Sequence, residues 1–159
     1  MSAKTEQQDP LVRAKTIVFR MLNIRPRSEQ EIRDRLRLKN LSAGDVDRTV
    51  QYFKELELVN DREFARQWIS SRLRKPLGPH RIRLELRRKG IAEELIETEL
   101  PAQLSTCPEI DTIKELINRR EHRYENLEPV KRRRRLMDFL QRRGFSLPQI
   151  IKAMNDHDS

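Results

Sequence analysis

The sequence holds a single cysteine, Cys107, which excludes an internal disulfide and any multi-cysteine metal site and fits a reducing compartment. That thiol stands beside Pro108 with no basic neighbour in sequence and reads as incidental. Glycine is scarce, 4 in 159 residues, and none of it forms a phosphate-cradling loop. His80, His122 and His157 lie far apart in sequence, and neither zinc spacing nor a nucleophile elbow appears, so each reads as a solvated or core-edge side chain. The chain is therefore expected to be no enzyme and to carry neither cofactor nor metal. Aromatics are only 5% of the residues; Phe64, Trp68, Phe139 and Phe145 fall on apolar faces, and Trp68 is expected in the core. Stacking on unpaired bases is thereby excluded as a main binding mode. No segment approaches bilayer-spanning length, and the opening MSAKTEQQDP lacks the apolar centre of a signal peptide. A soluble, cytoplasmic protein with no membrane partner is expected.

What is present is charge. Asp, Glu, Lys and Arg make up 37% of the chain against 36% hydrophobic residues, with a net charge of +9. Such a composition favours long helices with narrow apolar stripes over sheets, so the fold class is read as all-α. The positive balance points to nucleic acid, an acidic protein surface or an anionic membrane as a partner.

Residues 1–9 are polar and read as a tail, with Pro10 suited to a first helical turn. Ala14, Ile17, Val18, Met21 and Leu22 follow helical spacing to about Asn23, and Pro26 closes the helix. Ser28 and Glu31 form a capping box for a second helix with Ile32, Leu36 and Leu38 on its buried side. Asn40, which tolerates the left-handed conformation, stops it. Ser42 caps a third helix, with Asp45 at N3, whose apolar side is Val46, Val50, Phe53 and Leu56.

The pattern then recurs. Asn60 and Glu63 form a capping box before Phe64, Ala65, Trp68, Ile69 and Leu73. The run GPHRIRLELRRKGI at 78–91 contains a helix start, an apolar stripe of Ile82 and Leu86, an arginine-rich face, a Glu85–Lys89 pair at i,i+4 and a stop at Gly90. Residues 92–100 supply a further helix with Leu95, Ile96 and Leu100 apolar. A shift of 50 residues superposes Ile32, Leu36, Lys39, Leu41 and Val46 on Ile82, Leu86, Lys89, Ile91 and Ile96. After a break at 101–108, Ile110, Ile113, Leu116, Ile117 and Tyr124 mark another helix. A shift of 54 residues then carries Ile82, Leu86, Lys89, Gly90, Ile91 and Ile96 onto Leu136, Leu140, Arg143, Gly144, Phe145 and Ile150, and Ser146 with Gln149 is a further capping box. The chain therefore reads as three tandem three-helix, helix-turn-helix-like repeats in an elongated, curved array. Their expected bounds are 11–59, 60–106 and 107–155, between tails at 1–10 and 156–159.

Helix-turn-helix units often bind DNA through their last helix, yet here the last helices carry Asp45, Asp47, Glu55, Glu93, Glu94, Glu97 and Glu99, which would repel phosphates. Cations gather instead on the middle helices and the turns before them. The candidate contact residues are Arg72, Arg74, Lys75, Arg81, Arg83, Arg87 and Arg88 in the second repeat. In the third they are Lys131, Arg134, Arg135 and Arg142. The run at 132–135, four arginines in a row, must wrap round a helix and cannot all face one partner. Charge without stacking or base readout implies weak, sequence-tolerant, salt-sensitive binding to single- or double-stranded DNA. A tandem helix-turn-helix nucleoid or transcription factor is the alternative.

The runs RSEQEIRDRL at 27–36, VNDREFARQWISSRLRK at 59–75, GPHRIRLELRRKGI at 78–91 and FLQRRGFSLPQI at 139–150 resemble the RecX regulatory proteins of bacteria, over about residues 11–154. The specific part is Asp61, Phe64 and Ala65 followed by the Gly-Pro, Ile82, Glu85, Leu86, Lys89, Gly90 spacing. The resemblance implies an all-α protein, expected to be a monomer, that binds the RecA recombinase filament in its helical groove and restrains ATP hydrolysis and strand exchange. Many relatives carry Gly and an aromatic before the Gly-Pro pair, where this chain has Pro76 and Leu77; a stiffer linker is expected.

Overall fold

The helix starts and stops read from the sequence fall close to those of the computed structural model, which describes residues 9–157 and, among them, has nine α-helices and no strand. Repeat 1 comprises α1 (Pro10–Ile24), α2 (Glu29–Leu38) and α3 (Ala43–Glu55). Repeat 2 comprises α4 (Asp61–Leu73), α5 (Pro79–Arg88) and α6 (Glu93–Leu104). Repeat 3 comprises α7 (Glu109–Glu121), continued by a 3-10 turn at His122–Tyr124, then α8 (Pro129–Arg142) and α9 (Leu147–His157). The described residues form two compact units: one holds residues 9–64 together with Lys89–Ile91, the other Ala65–Arg88 with residues 92–157.

In the first unit α1 and α2 both pack on α3, burying Ala14, Val18, Ile32, Leu36, Val50 and Phe53. In the second, α5 packs on α6, and α7 and α8 both pack on α9 around Ile113, Ile117, Leu136, Leu140, Phe145 and Ile150. Each of the Val, Leu, Ile and Phe side chains among these contributes ~1.5–3 kcal/mol by leaving water. Leu38 and Leu56, expected on buried faces, are 75% and 47% exposed. Both lie in the final turn or cap of their helix, past the point where the neighbouring helix covers the stripe.

Pro101 does not end α6 as expected; the helix runs three residues further, to Leu104. Its last turn is tied down by Gln103, whose side-chain amide donates to the Arg66 carbonyl at 3.1 Å. The capping box expected at Ser146 and Gln149 is also not closed. Gln149 Oε1, which would have to accept from the Ser146 amide, is buried without a hydrogen-bond partner.

The start of α2 is closed on every side. Ser28 is fully buried; its hydroxyl accepts from the Glu31 amide at 3.2 Å and donates to the Lys89 carbonyl at 2.6 Å. The Glu31 carboxylate accepts from the Ser28 amide, completing the box, and also takes Arg25 and the Lys89 ammonium, at 2.8 and 2.6 Å. Lys89 is thus paired with Glu31 and not with Glu85, the partner its i,i+4 spacing suggested. The Glu29 amide donates to Asp61 at 2.8 Å. Burial raises the Asp61 carboxyl above its ordinary range, and the hydrogen bond from that amide offsets part of the rise.

The start of α5 is closed in the same way by main chain alone. The Gly78 amide donates to the Arg143 carbonyl at 2.8 Å and the His80 amide to the Gly144 carbonyl at 3.1 Å. In both places a donor at a helix start, the N-cap hydroxyl of Ser28 at α2 and backbone N–H groups at α5, meets a carbonyl from the turn that ends another helix, so the positive end of one helix dipole faces the negative end of the other. The approach is too close for side chains. A Cβ on Gly90 would overlap the Gln30 side chain, one on Gly144 would overlap Arg81, and one on Gly78 would overlap Gly144 and Phe145. Gly90 and Gly144 also have φ of +75° and +93°. Asn40 holds the same left-handed conformation, with φ of 59°, in a repeat that has no predecessor among the described residues to approach.

Gly90→Ala should therefore destabilise the protein by about 2 kcal/mol or more through combined strain and overlap, whereas Gly44→Ala, whose Cβ meets only ordinary contact inside α3, should be neutral or stabilising by ~0.5–1 kcal/mol, both read from urea midpoints. Burial pushes the Glu31 carboxyl up, but Arg25, Lys89 and the Ser28 amide outweigh it and lower it from 4.5 to about 2. Its contribution is complete above about pH 4.5 and is lost as pH falls through about 2. Glu31→Gln should cost ~1–3 kcal/mol at neutral pH and flatten the decline in urea midpoint between neutral and acid pH; an unchanged decline would exclude Glu31 as a source of that slope.

Candidate functional site

Two acids organise four of the eight arginines of repeat 2. Glu85, at the centre of α5, accepts from Arg72 at 2.5 Å, from Arg81 at 3.1 Å and from the Trp68 indole at 3.1 Å. The Arg72 guanidinium also lies over the Trp68 ring, 4.1 Å from its centroid. Trp68 is consequently half-buried beside this cluster, not a core residue, because its N–H and ring face are both used by polar partners. Burial raises the Glu85 carboxyl, yet the hydrogen bonds from Arg72 and Arg81 prevail and hold it below the usual range.

Glu93, in the first turn of α6, does the same for α5's outer face. It takes Arg83 at 2.6 Å and two nitrogens of Arg87, Nε and Nη2, at 2.7 and 2.8 Å, and the bond from Arg87 in particular lowers its carboxyl to about 2. The fork geometry suits guanidinium. Four of the candidate contact residues, Arg72, Arg81, Arg83 and Arg87, are thus brought together in pairs on internal carboxylates.

The acids expected to repel phosphate are partly accounted for by the same geometry. Glu93 is neutralised by those two arginines, Asp47 is paired with Arg33, and Glu99 is buried against Arg66 at 2.7 Å.

The remaining candidates are placed differently. Arg74, Lys75 and Arg88 are exposed, the first two in the turn after α4, and the carbonyls of Lys75 and Pro76 are held by the Arg143 guanidinium at 3.1 and 3.3 Å. On α8, Lys131, Arg134, Arg135 and Arg142 are exposed and recur at helical spacing, so they share one face, opposite Leu136, Phe139 and Leu140. Lys131 has only an exposed partner, Glu128, at 3.1 Å, and Asp138 is the one acid at the same register. The run at 132–135 divides as its helical rotation requires. Arg132 and Arg133 are half-buried, Arg132 with its Nε enclosed and unpartnered and Arg133 bonded to Asn155 at 2.8 Å, while Arg134 and Arg135 point outward.

A basic surface in repeat 1 escaped the sequence reading. Arg13, Arg20 and Arg27 recur every seven residues and line a groove with Arg35 and Lys39. The period was the available signal, masked by reading α1 for its buried stripe alone. Among the described residues no three His, Cys, Asp or Glu are grouped to hold a metal, and no helix is long and apolar enough to cross a membrane.

Comparison with known proteins matches the chain to three successive family models: RecX, first three-helix domain, at residues 14–53; RecX, second three-helix domain, at 60–100; and RecX, third three-helix domain, at 108–154. Among curated proteins, the Regulatory protein RecX of Streptomyces lividans is 33% identical over 148 residues, 92% of this chain and 78% of that protein. That of Mycolicibacterium smegmatis is 33% identical over 150 residues, 89% of this chain and 79% of that protein. Among solved structures, RecX from Lactobacillus salivarius aligns with a TM-score of 0.85 at 20% identity, over 94% of this chain and 97% of that one, a likeness of fold.

Proposed function

The chain belongs to the RecX family, and from that premise we propose that it binds the RecA recombinase filament and restrains its ATP hydrolysis and strand exchange in recombination and repair. It acts by binding alone, favouring one filament state, as a cytoplasmic monomer with weak, sequence-tolerant affinity for DNA. The observation that carries the reading at the level of residues is the division of the arginines. Arg72 and Arg81 are held by Glu85 and Arg83 and Arg87 by Glu93, whereas Lys131, Arg134, Arg135 and Arg142 on α8, with Arg74, Lys75 and Arg88, keep their charge toward solvent. Cations not neutralised internally are the ones that can meet an acidic protein surface or phosphate.

The test is inhibition of the single-strand-dependent ATPase of RecA. Arg134→Glu with Arg135→Glu and Arg142→Glu should raise the concentration for half-inhibition by ~tenfold or more, with helicity and melting temperature unchanged, and inhibition by the native protein should weaken as salt rises. Arg83→Glu should act instead through lost stability, since it leaves Glu93 facing a like charge. Native-level inhibition by the α8 variant would remove these residues from the contact surface. Sequence-selective duplex binding without recombinase would favour the nucleoid or transcription factor reading.

A further inference from the structure

The groove of repeat 1 has a composition unlike the other basic surfaces. It runs along α1 and α2 with a volume of about 670 Å³. Five cations line it, Arg13, Arg20 and Arg27 from α1 and the loop after it, Arg35 from α2 and Lys39 from its C-cap, and no acidic residue does among the described residues. Arg20 and Arg35 are exposed and make no ion pair among the described residues. Arg13 donates only to the Lys39 carbonyl at 3.2 Å, and Arg27 only to the Met21 carbonyl at 3.4 Å. Partial burial together with the nearby Arg25 and Arg35 lowers the Arg27 guanidinium from its ordinary value. Glu31, the acid whose charge acts on Arg27, is already committed to Arg25, Lys89 and the Ser28 amide. This is positive charge left uncompensated by the fold, in contrast to Glu85 and Glu93 in repeat 2.

Between the cations lies an apolar strip of Ile17, Met21 and Ile24. Ile24 is 77% exposed, an unusual place for a large aliphatic side chain with nothing over it. Along α1 the order is Arg13, Ile17, Arg20, Ile24, steps of four, three and four residues, so cation and aliphatic side chains interleave on one helical face about 16 Å long. A phosphate backbone would use the arginines and gain nothing from the isoleucines. A helix carrying acids beside leucine-like residues at the same alternating spacing would use both.

We propose that the α1–α2 groove of repeat 1 is a docking site for an acidic amphipathic helix of a partner protein, its carboxylates on Arg13, Arg20 and Arg35 and its apolar side chains over Ile17 and Ile24. The proposal does not depend on which protein supplies the helix. It names a contact that can be present or absent whether or not the α8 face touches a recombinase.

The probe is a fluorescein-labelled synthetic peptide of three to four helical turns with Leu and Glu at alternating three- and four-residue spacing, titrated with the full chain by fluorescence anisotropy. A peptide of the same composition in scrambled order, and an oligo-dT of similar length, are the comparisons. The patterned peptide should bind at least ~tenfold more tightly than the scrambled one, and Arg20→Glu with Arg35→Glu should weaken it by a similar factor. Ile24→Ser, at an exposed position where folding is not at stake and with no change of charge, should weaken the patterned peptide and leave the oligonucleotide unaffected. Arg20→Gln gives a milder second variant should the double reversal lower the melting temperature. Equal binding of patterned and scrambled peptides would overturn the proposal. So would loss of oligonucleotide binding in the arginine variants with no effect of Ile24→Ser on the peptide, which would mark a phosphate surface.

Discussion

A helix ends with unsatisfied groups at both termini, and this chain closes them by setting one helix start against the turn that ends another. Ser28 against Lys89, and Gly78 and His80 against Arg143 and Gly144, are two versions of the same contact, one made through a side-chain hydroxyl and one through backbone amides. The remaining requirements follow from it. Glycine must stand where the turn presses on the helix start, an apolar residue must follow it into the core as Phe145 does, and Glu31 must hold two cations to complete the first junction.

With the helix starts fixed, α5 has one buried stripe and one outer face, and the outer face is balanced by its own Glu85 and by Glu93 from α6. Glu85 and Glu93 each collect two arginines, so a stretch with high formal charge presents much less of it to a partner. The α8 face and the repeat 1 groove lack such acids beyond Asp138 and the exposed Glu128. Charge available for binding is thus set by which arginines are left over after folding, and it is not proportional to how many the sequence contains.

Helix count, the threefold recurrence and most caps were legible because each rests on local spacing: Ser28 to Glu31, Ile82 to Leu86, the breaker at 40, 90 and 144. The difference between Asn40 and the two later glycines was not. All three need a positive φ, which sequence pattern reveals, but only Gly90 and Gly144 face another helix start, which it does not. Lys89 was misassigned to Glu85 for the same reason: helical spacing offered a neighbour, and a residue 58 positions away was nearer. Pro101 looked like a stop because its missing N–H weakens a helix, yet Leu100 in the core and Gln103 on the Arg66 carbonyl carry α6 past it. The repeat 1 groove went unread although Arg and Ile alternate along α1 with a seven-residue period, and its second wall, Arg35 and Lys39, came only with the packing of α2.

The dependence of the fold on its helix-start junctions is tested most directly by native-state hydrogen exchange at the Gly78 and His80 amides. First-turn amides ordinarily lack partners and exchange quickly. If the carbonyls of Arg143 and Gly144 hold them, both should exchange only through global unfolding, with rates that track overall stability as denaturant is added. Rapid exchange of both amides, insensitive to denaturant, would contradict the junction as the contact on which the structure depends.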